Sequence, residues 1–327
     1  MSQELRWGVL GAAKIALDKV VPAMRGAARC SVVAIASRER GKAERAAAAL
    51  GLPRAYGSYE ELLADPGIDA VYNPLPNHLH VPWSIRALES GKHVLCEKPI
   101  ALSAAEAVTL KQARDASGLL VEEAFMVRTH PQWLRARELV RGGRIGALRS
   151  VVACFSYFND DPKNVRNVSE FGGGGLMDIG CYPITIARFL FEKEPLRVAA
   201  FLERDPRFGT DRLASVVLEF PGGQALFTCS TQLVAYQRVQ ILGTTGRIEL
   251  EIPWNAPRDE PTRLLLEPGS QLIELPACDQ YRIQAELFAN AALEKGPVAT
   301  PLEDSILNMK AIEAAVRSAA SGRAEAP

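Results

Sequence analysis

Two short stretches hold the residue types that proton-transfer chemistry needs. The first is Glu97-Lys98-Pro99, which ends the apolar run His93-Val-Leu-Cys96 on an acid, a base and a proline. If that run is a strand of an open parallel sheet, its carboxyl end faces the crevice where such sheets bind ligands, and Lys98 points at a bound molecule. The plain alternative is a solvated loop lysine before a proline that merely ends a strand. The second stretch is Phe171-Gly-Gly-Gly-Gly-Leu-Met-Asp178-Ile-Gly-Cys-Tyr182-Pro183. Four glycines in a row let backbone pass close to something bulky. A helix from Leu176 onward sets Asp178 and Tyr182 one turn apart on one face, near an amino terminus whose dipole favours the ionised form of both. Pro183 removes a helical hydrogen bond unless it lies in the first turn, so a kink or a late helix start is expected. Without further context Tyr182 reads as a buried aromatic with a satisfied hydroxyl.

The elements that must position these groups alternate strand and helix. Arg6-Trp-Gly-Val-Leu10 is a short apolar strand that runs into Gly11-Ala-Ala-Lys-Ile-Ala16 and a helical stretch to about Arg25, and Ser31-Val-Val-Ala-Ile-Ala36 supplies the second strand. On the dinucleotide fingerprint G-x-G-x-x-G/A the turn maps as Gly11, Ala13 and Ala16, with alanine where the middle glycine lets backbone approach a pyrophosphate. The phosphate would sit on the helix amino terminus. Beyond the second strand, Ser37-Arg38 suits a 2′-phosphate, which favours NADP over NAD; the alternative is that Arg38 faces water and Glu39 takes the ribose. Residues 39–50 read as an Ala-rich helix, and Ser58-x-x-Glu61 and Ser103-x-x-Glu106 as capping boxes that open two more. The strand at 69–72 breaks at Asn73-Pro-Leu-Pro-Asn77, and the two histidines of His78-Leu-His80 read as loop residues lining a cofactor crevice, because no third metal ligand lies near them in sequence.

Beyond Phe125 the rhythm changes. A helix at 131–141 ends in Gly142-Gly143, and from Ala147 strands dominate, separated by turn signals. The hairpin at 214–220 and 224–228 around Pro-Gly-Gly is the clearest. The expected fold is therefore α/β: a Rossmann-type doubly wound parallel sheet, followed by an α+β domain with a mainly antiparallel sheet. Residues 1–124 are assigned to the first domain, 125–300 to the second, and 301–327 to a terminal helix packing back on the first. The 327-residue length agrees with two domains. Lys plus Arg (38) balances Asp plus Glu (38) without a long basic run, which argues against nucleic acid and anionic membrane as partners. No apolar stretch is long enough to span a bilayer, the first residues do not read as an export signal, and a cytoplasmic protein is expected. Six scattered cysteines without a C-x-x-C pair read as reduced thiols, and no metal site is expected.

Taken in order, the Gly-x-Ala-x-x-Ala turn, Glu97-Lys98-Pro99, Glu123-Ala-Phe-Met-Val-Arg-Thr-His-Pro-Gln132 and Gly-Gly-Gly-Leu-Met-Asp-Ile-Gly-Cys-Tyr182 resemble the glucose-fructose oxidoreductase / inositol dehydrogenase / MocA family over nearly the whole chain. The Asp-Ile-Gly-x-Tyr pattern is similar to its tyrosine-using branch, which includes NADP-dependent D-xylose dehydrogenase and dimeric dihydrodiol dehydrogenase. The resemblance implies an NAD(P)-dependent oxidoreductase moving hydride between nicotinamide and a sugar or polyol, the aldose 1-dehydrogenase type favoured. Alternatives are a trans-dihydrodiol dehydrogenase, a keto-sugar reductase, or a non-catalytic NADP-binding regulator of the same fold. It further implies Lys98, Tyr182 and Asp178 as the catalytic set, with the Lys98 charge favouring phenolate at Tyr182. The cofactor would meet Gly11, Ala13, Lys14, Ile15, Ser37, Arg38, Pro74, Leu75, Asn77, His80, Glu97 and Lys98. Substrate hydroxyls would meet Arg128, His130, Asn159 and Arg166. A homodimer or homotetramer built on the second sheet is expected, and the Lys98-Pro99 bond is open to be cis.

Overall fold

A computed structural model of the chain describes residues 3–327. In it the chain forms two compact units, one holding the chain up to Met126 together with Asp279–Ile306, the other holding Val127–Cys278 with Leu307–Pro327. The first is built on six parallel strands: β1 (Leu5–Leu10), β2 (Cys30–Ala36), β3 (Arg54–Tyr56), β4 (Ala70–Asn73), β5 (His93–Cys96) and β6 (Val121–Glu123). Their order, β3-β2-β1-β4-β5-β6, reverses direction between β1 and β4, which makes the carboxyl ends of those two strands the switch point where doubly wound sheets bind ligands. The central strands β1, β4 and β5 are buried on both faces, as their near-continuous apolar runs require, while β3 at the edge is only half-buried. Both serine caps form, the Ser58 hydroxyl accepting the Glu61 amide at 3.1 Å and Ser103 that of Glu106 at 3.1 Å, while the two glutamate side chains reach one residue further back, to the Gly57 and Leu102 amides.

Helix Gln280–Glu294 completes this unit, although the sequence reading places residues 279–300 in the second domain. The reason is its apolar stripe. Ala285, Phe288 and Ala289 are fully buried in one cluster with Trp7, Val9 and Met24, and the Phe288 ring centroid lies 5.2 Å from that of Trp7. Glu286 accepts the Ala28 amide at 2.9 Å, and Pro301 bridges Glu122 at the open edge of β6.

The second unit carries an eight-stranded sheet in the order β14-β13-β12-β11-β7-β10-β9-β8, antiparallel except where β10 runs parallel to β7. Its strands are β7 (Leu148–Phe158), β8 (Arg197–Arg204), β9 (Asp211–Phe220), β10 (Gly223–Ser230), β11 (Gln232–Gly243), β12 (Arg247–Leu250), β13 (Thr262–Glu267) and β14 (Gln271–Leu275). One face is core: the row Val239-Ala153-Phe227-Val216-Ala200 is buried from end to end. The row beside it, through Val152, Leu226 and Val217, turns outward. Fold class and strand character are thus as expected. The terminal segment differs, because from Leu307 onward it belongs to the second unit, where Ser318 accepts the Ala200 amide at 3.0 Å and Glu325 bridges Val198, both on β8. An edge strand with unpaired backbone groups gains partners that way. Among the described residues no helix is long and apolar enough to cross a membrane.

Candidate active site

Within the first unit, the loops leaving β1, β2, β4 and β5 gather the candidate cofactor residues at one edge of the sheet. Gly11 donates its amide to the Ala36 carbonyl at 2.9 Å and has φ +95°, and a Cβ there would stand 2.9 Å from Leu75 Cδ2. Glycine is needed at that turn for both backbone and space. Helical turns then run from Lys14 to Arg25, the middle one a π-turn at Ala16–Val20. Pro22 follows that turn, and the wider π geometry admits a residue that cannot donate to the ladder. Ala13 and Ile15 pack on the core cluster, while the Lys14 ammonium is exposed and pairs with Asp18. The end of β2 leaves Ser37 buried and Arg38 exposed. Burial pushes the Tyr59 phenol up, opposed by the charge of Arg38 and a hydrogen bond from it, and Arg38 helps lower the half-buried His78. These contacts set Arg38 beside Tyr59 and His78, next to the Gly11 turn. A turn with close backbone approach, a helix amino terminus behind it and a guanidinium after β2 are what a dinucleotide with an extra phosphate requires, so the residues fit NADP.

The Glu97-Lys98 loop is held from three directions. The Tyr72 hydroxyl donates to Glu97 Oε1 at 2.6 Å, Glu123 Oε1 accepts the Ile100 amide at 2.9 Å, and the His80 ring meets the Pro99 carbonyl at 2.8 Å. Burial, with Glu97 beside it, pushes the Tyr72 phenol well up, so it stays a donor. The Lys98-Pro99 bond is cis. His80 is fully buried and also meets the Leu75 carbonyl at 2.7 Å, so its ring ties the loop after β4 to the loop after β5. Burial pushes it down to about 4 against the pull of both carbonyls; the neutral ring can donate to only one of them. Pro74 and Leu75 are buried in the β4 loop, and Asn77 opens a single 3₁₀ turn there. Tyr281, from the distant helix, has its phenol pushed up by burial and by Glu97, with Lys98 opposing.

In the second unit, Asp178 lies in a π-turn, Leu176–Gly180, and Tyr182 in the α-helix that continues it, Cys181–Phe191. Pro183 therefore falls in the first turn of the α-helix, preceded by a widened turn as Pro22 is. Asp178 Oδ2 accepts from the Tyr157 hydroxyl at 2.6 Å and pairs with Arg166 Nε at 2.9 Å. Asp178 above all, then Tyr157 and Tyr182, raise the Arg166 pKa against the effect of burial, which puts a fixed positive charge in the field of the Tyr182 phenol. The Tyr182 ring is buried against Phe155 and Trp254, each 5.8 Å between centroids. Arg166, read from the sequence as a partner for sugar hydroxyls, is engaged with Asp178.

The other proposed substrate residues do structural work as well. Arg128 donates to Thr185 Oγ1 at 3.3 Å and lies 4.7 Å over the Phe189 ring. His130 caps helix Pro131–Arg141 through Nδ1, which accepts the Gln132 amide at 3.1 Å, and its Nε2 lies 3.6 Å from Cys278 Sγ. Burial pushes that imidazole down to about 4. Asn159 Oδ1 accepts from Asp161 and from Asn167, a buried residue the sequence does not single out. Tyr72, Tyr157, Tyr281 and Asn167 escape sequence reasoning. The one usable signal is that a tyrosine inside a fully buried strand, as Tyr72 is, must find its hydroxyl a partner.

Residues 5–125 match the model of an oxidoreductase family with an NAD-binding Rossmann fold, GFO/IDH/MocA, and residues 133–249 match that of the GFO/IDH/MocA C-terminal domain. An uncharacterized oxidoreductase of Rhizobium meliloti is 48% identical, with 98% of each chain covered. D-Xylose 1-dehydrogenase (NADP(+)) 2 of Haloferax volcanii is 38% identical, covering 98% of this chain and 99% of its own. Among solved structures, a 3-ketoreductase of Actinomadura kijaniata in complex with NADP and TDP-benzene has 31% identity and a TM-score of 0.91, with 97% of this chain and 98% of that one covered.

Proposed function

The chain belongs to the glucose-fructose oxidoreductase / inositol dehydrogenase / MocA family of oxidoreductases, and from that premise we propose that it is an NADP-dependent dehydrogenase or reductase acting on a hydroxyl or carbonyl of a sugar or polyol, aldose oxidation being favoured. What carries this reading is Tyr182 on one helix with a carboxylate gripped by Arg166 and Tyr157. The bound nicotinamide would accept or return the hydride. Tyr182 takes the hydroxyl proton as the carbonyl forms, or gives it back in reduction. Lys98 adds positive charge that favours the phenolate, and Asp178, fixed by two donors, orients the sugar. The relatives named for D-xylose oxidation and 3-ketoreduction support a sugar or sugar-derived substrate. A panel of aldoses, trans-diols and keto-sugars with NADP⁺, NAD⁺ and their reduced forms, followed at the nicotinamide absorbance, tests it. Tight NADPH binding without turnover of any of them would replace it with a non-catalytic regulator.

Arg38→Ala is expected to weaken NADP by roughly 10- to 100-fold, the worth of a charge-assisted phosphate contact, and NAD by far less. Equal losses in fluorescence titrations would show that Arg38 does not read the phosphate. A homodimer or homotetramer built on the outward face of the eight-stranded sheet belongs to the same reading. Phe201 is 83% exposed there and Val152 and Leu226 are also open, an apolar patch that association would cover. A monomer at micromolar concentration in sedimentation velocity would remove this part. We also place the protein in the cytoplasm, the compartment that six scattered cysteines without a C-x-x-C pair suit.

A further inference from the structure

The glycines before the helix of Asp178 and Tyr182 make room for the chain itself. A Cβ on Gly173 would lie 2.4 Å from the Arg166 carbonyl oxygen. On Gly174, which has φ +120°, it would lie 2.1 Å from Asp211 Oδ1. Asp211 opens β9, is 7% exposed, and accepts the Leu176 amide through Oδ2 at 2.6 Å. A carboxylate from a neighbouring strand thus occupies the head of the helix, where unpaired amides and the positive end of the dipole lie. The dipole that the sequence offers to Tyr182 is met first by Asp211.

We infer that Asp211 is a positioning residue: it ties the head of the helix to β9 and so fixes Asp178 and Tyr182, two and six residues beyond the tied amide. The inference rests on the proposed roles of those two groups. Asp211 faces Arg204 directly across the β8 pairing, the backbone amides of Gly175 and Leu176, and the field of Cys229 on β10, which Cys154 on β7 and Cys181 and Asp178 on the helix also influence. Burial pushes its carboxyl up to about 6, with the Leu176 amide and Arg204 opposing. A folded pKa raised in this way gives stability that is fully present below the ordinary value of 3.8 and is lost as pH rises through about 6. Above that pH the buried anion is a burden on the fold, so position rather than stability accounts for it.

Asp211→Ala and Asp211→Asn in the full chain test this through three measurements: amide hydrogen exchange at 174–182, NADPH affinity, and kcat and KM on the substrate that the wild type turns over. Asp211→Ala should cost the Leu176 amide about tenfold in protection, the size of a lost charge-assisted hydrogen bond. It should lower kcat by up to about a hundredfold, as displacement of a reacting group does, with KM and NADPH affinity changed far less. Asp211→Asn keeps an acceptor and should restore most of both. It should also be at least as stable as wild type at pH 8, and lose that advantage at pH 5. Unchanged protection and kcat in Asp211→Ala, or a KM that rises and an NADPH affinity that falls as far as kcat does, would overturn the inference. If the wild type turns over nothing, the proposed function fails, and hydrogen exchange still decides whether Asp211 holds the helix.

Discussion

Tyr182→Phe is expected to lower kcat on the true substrate by roughly 10² to 10⁴, the range for a lost general acid or base. That is about 3–5 kcal/mol of transition-state stabilisation, taken by removing one oxygen atom. The ring stays, so its packing on Phe155 and Trp254 should survive. NADPH affinity should be nearly unchanged, and the loss should appear in kcat and kcat/KM alike, because the interaction exists only in the transition state. Near wild-type turnover would assign the proton transfer elsewhere. His130, the next choice from sequence, is a weak substitute: Nδ1 is taken up as a helix cap, Nε2 faces Cys278, and burial pushes its pKa down to about 4.

Lys98→Ala should be about as severe, and it carries a second signature. Loss of a neighbouring positive charge raises the pKa of a phenol, so the rise of the oxidation rate with pH should move to higher pH in whatever activity remains. Arg166, in the field of Tyr182 and paired with Asp178, supplies positive charge of its own. A fall in kcat with no shift of the profile would therefore assign the electrostatic role to Arg166 and leave Lys98 to orient substrate. Unaltered kcat together with an unaltered profile would remove Lys98 from the mechanism.

Local chemistry determined much of this protein. Short apolar runs became five of the six parallel strands, while β3, the half-buried Arg-Ala-Tyr at 54–56, carries no such run and was not legible; Ser-x-x-Glu patterns became caps at Ser58 and Ser103, and the loss of helical rhythm beyond Phe125 marked the second sheet. Gly11, Ser37-Arg38, Lys98, Asp178 and Tyr182 stand out because their types are unusual for the local pattern around them. Tertiary structure alone decided which groups hold Asp178 and the neighbours of Lys98 and Tyr182. Tyr72 reaches Glu97 across 25 residues, Asp211 reaches Leu176 across 35, and Arg166 turned out to grip Asp178. Likewise helix Gln280–Glu294 reads as amphipathic wherever it goes, and only its burial against Trp7 shows that it serves the first unit. Periodicity reports which face of an element is apolar, because that depends on neighbours three or four residues away. It does not report which buried donor meets which buried acceptor, because that depends on strand order and register, and those are set by pairings between residues far apart in the chain.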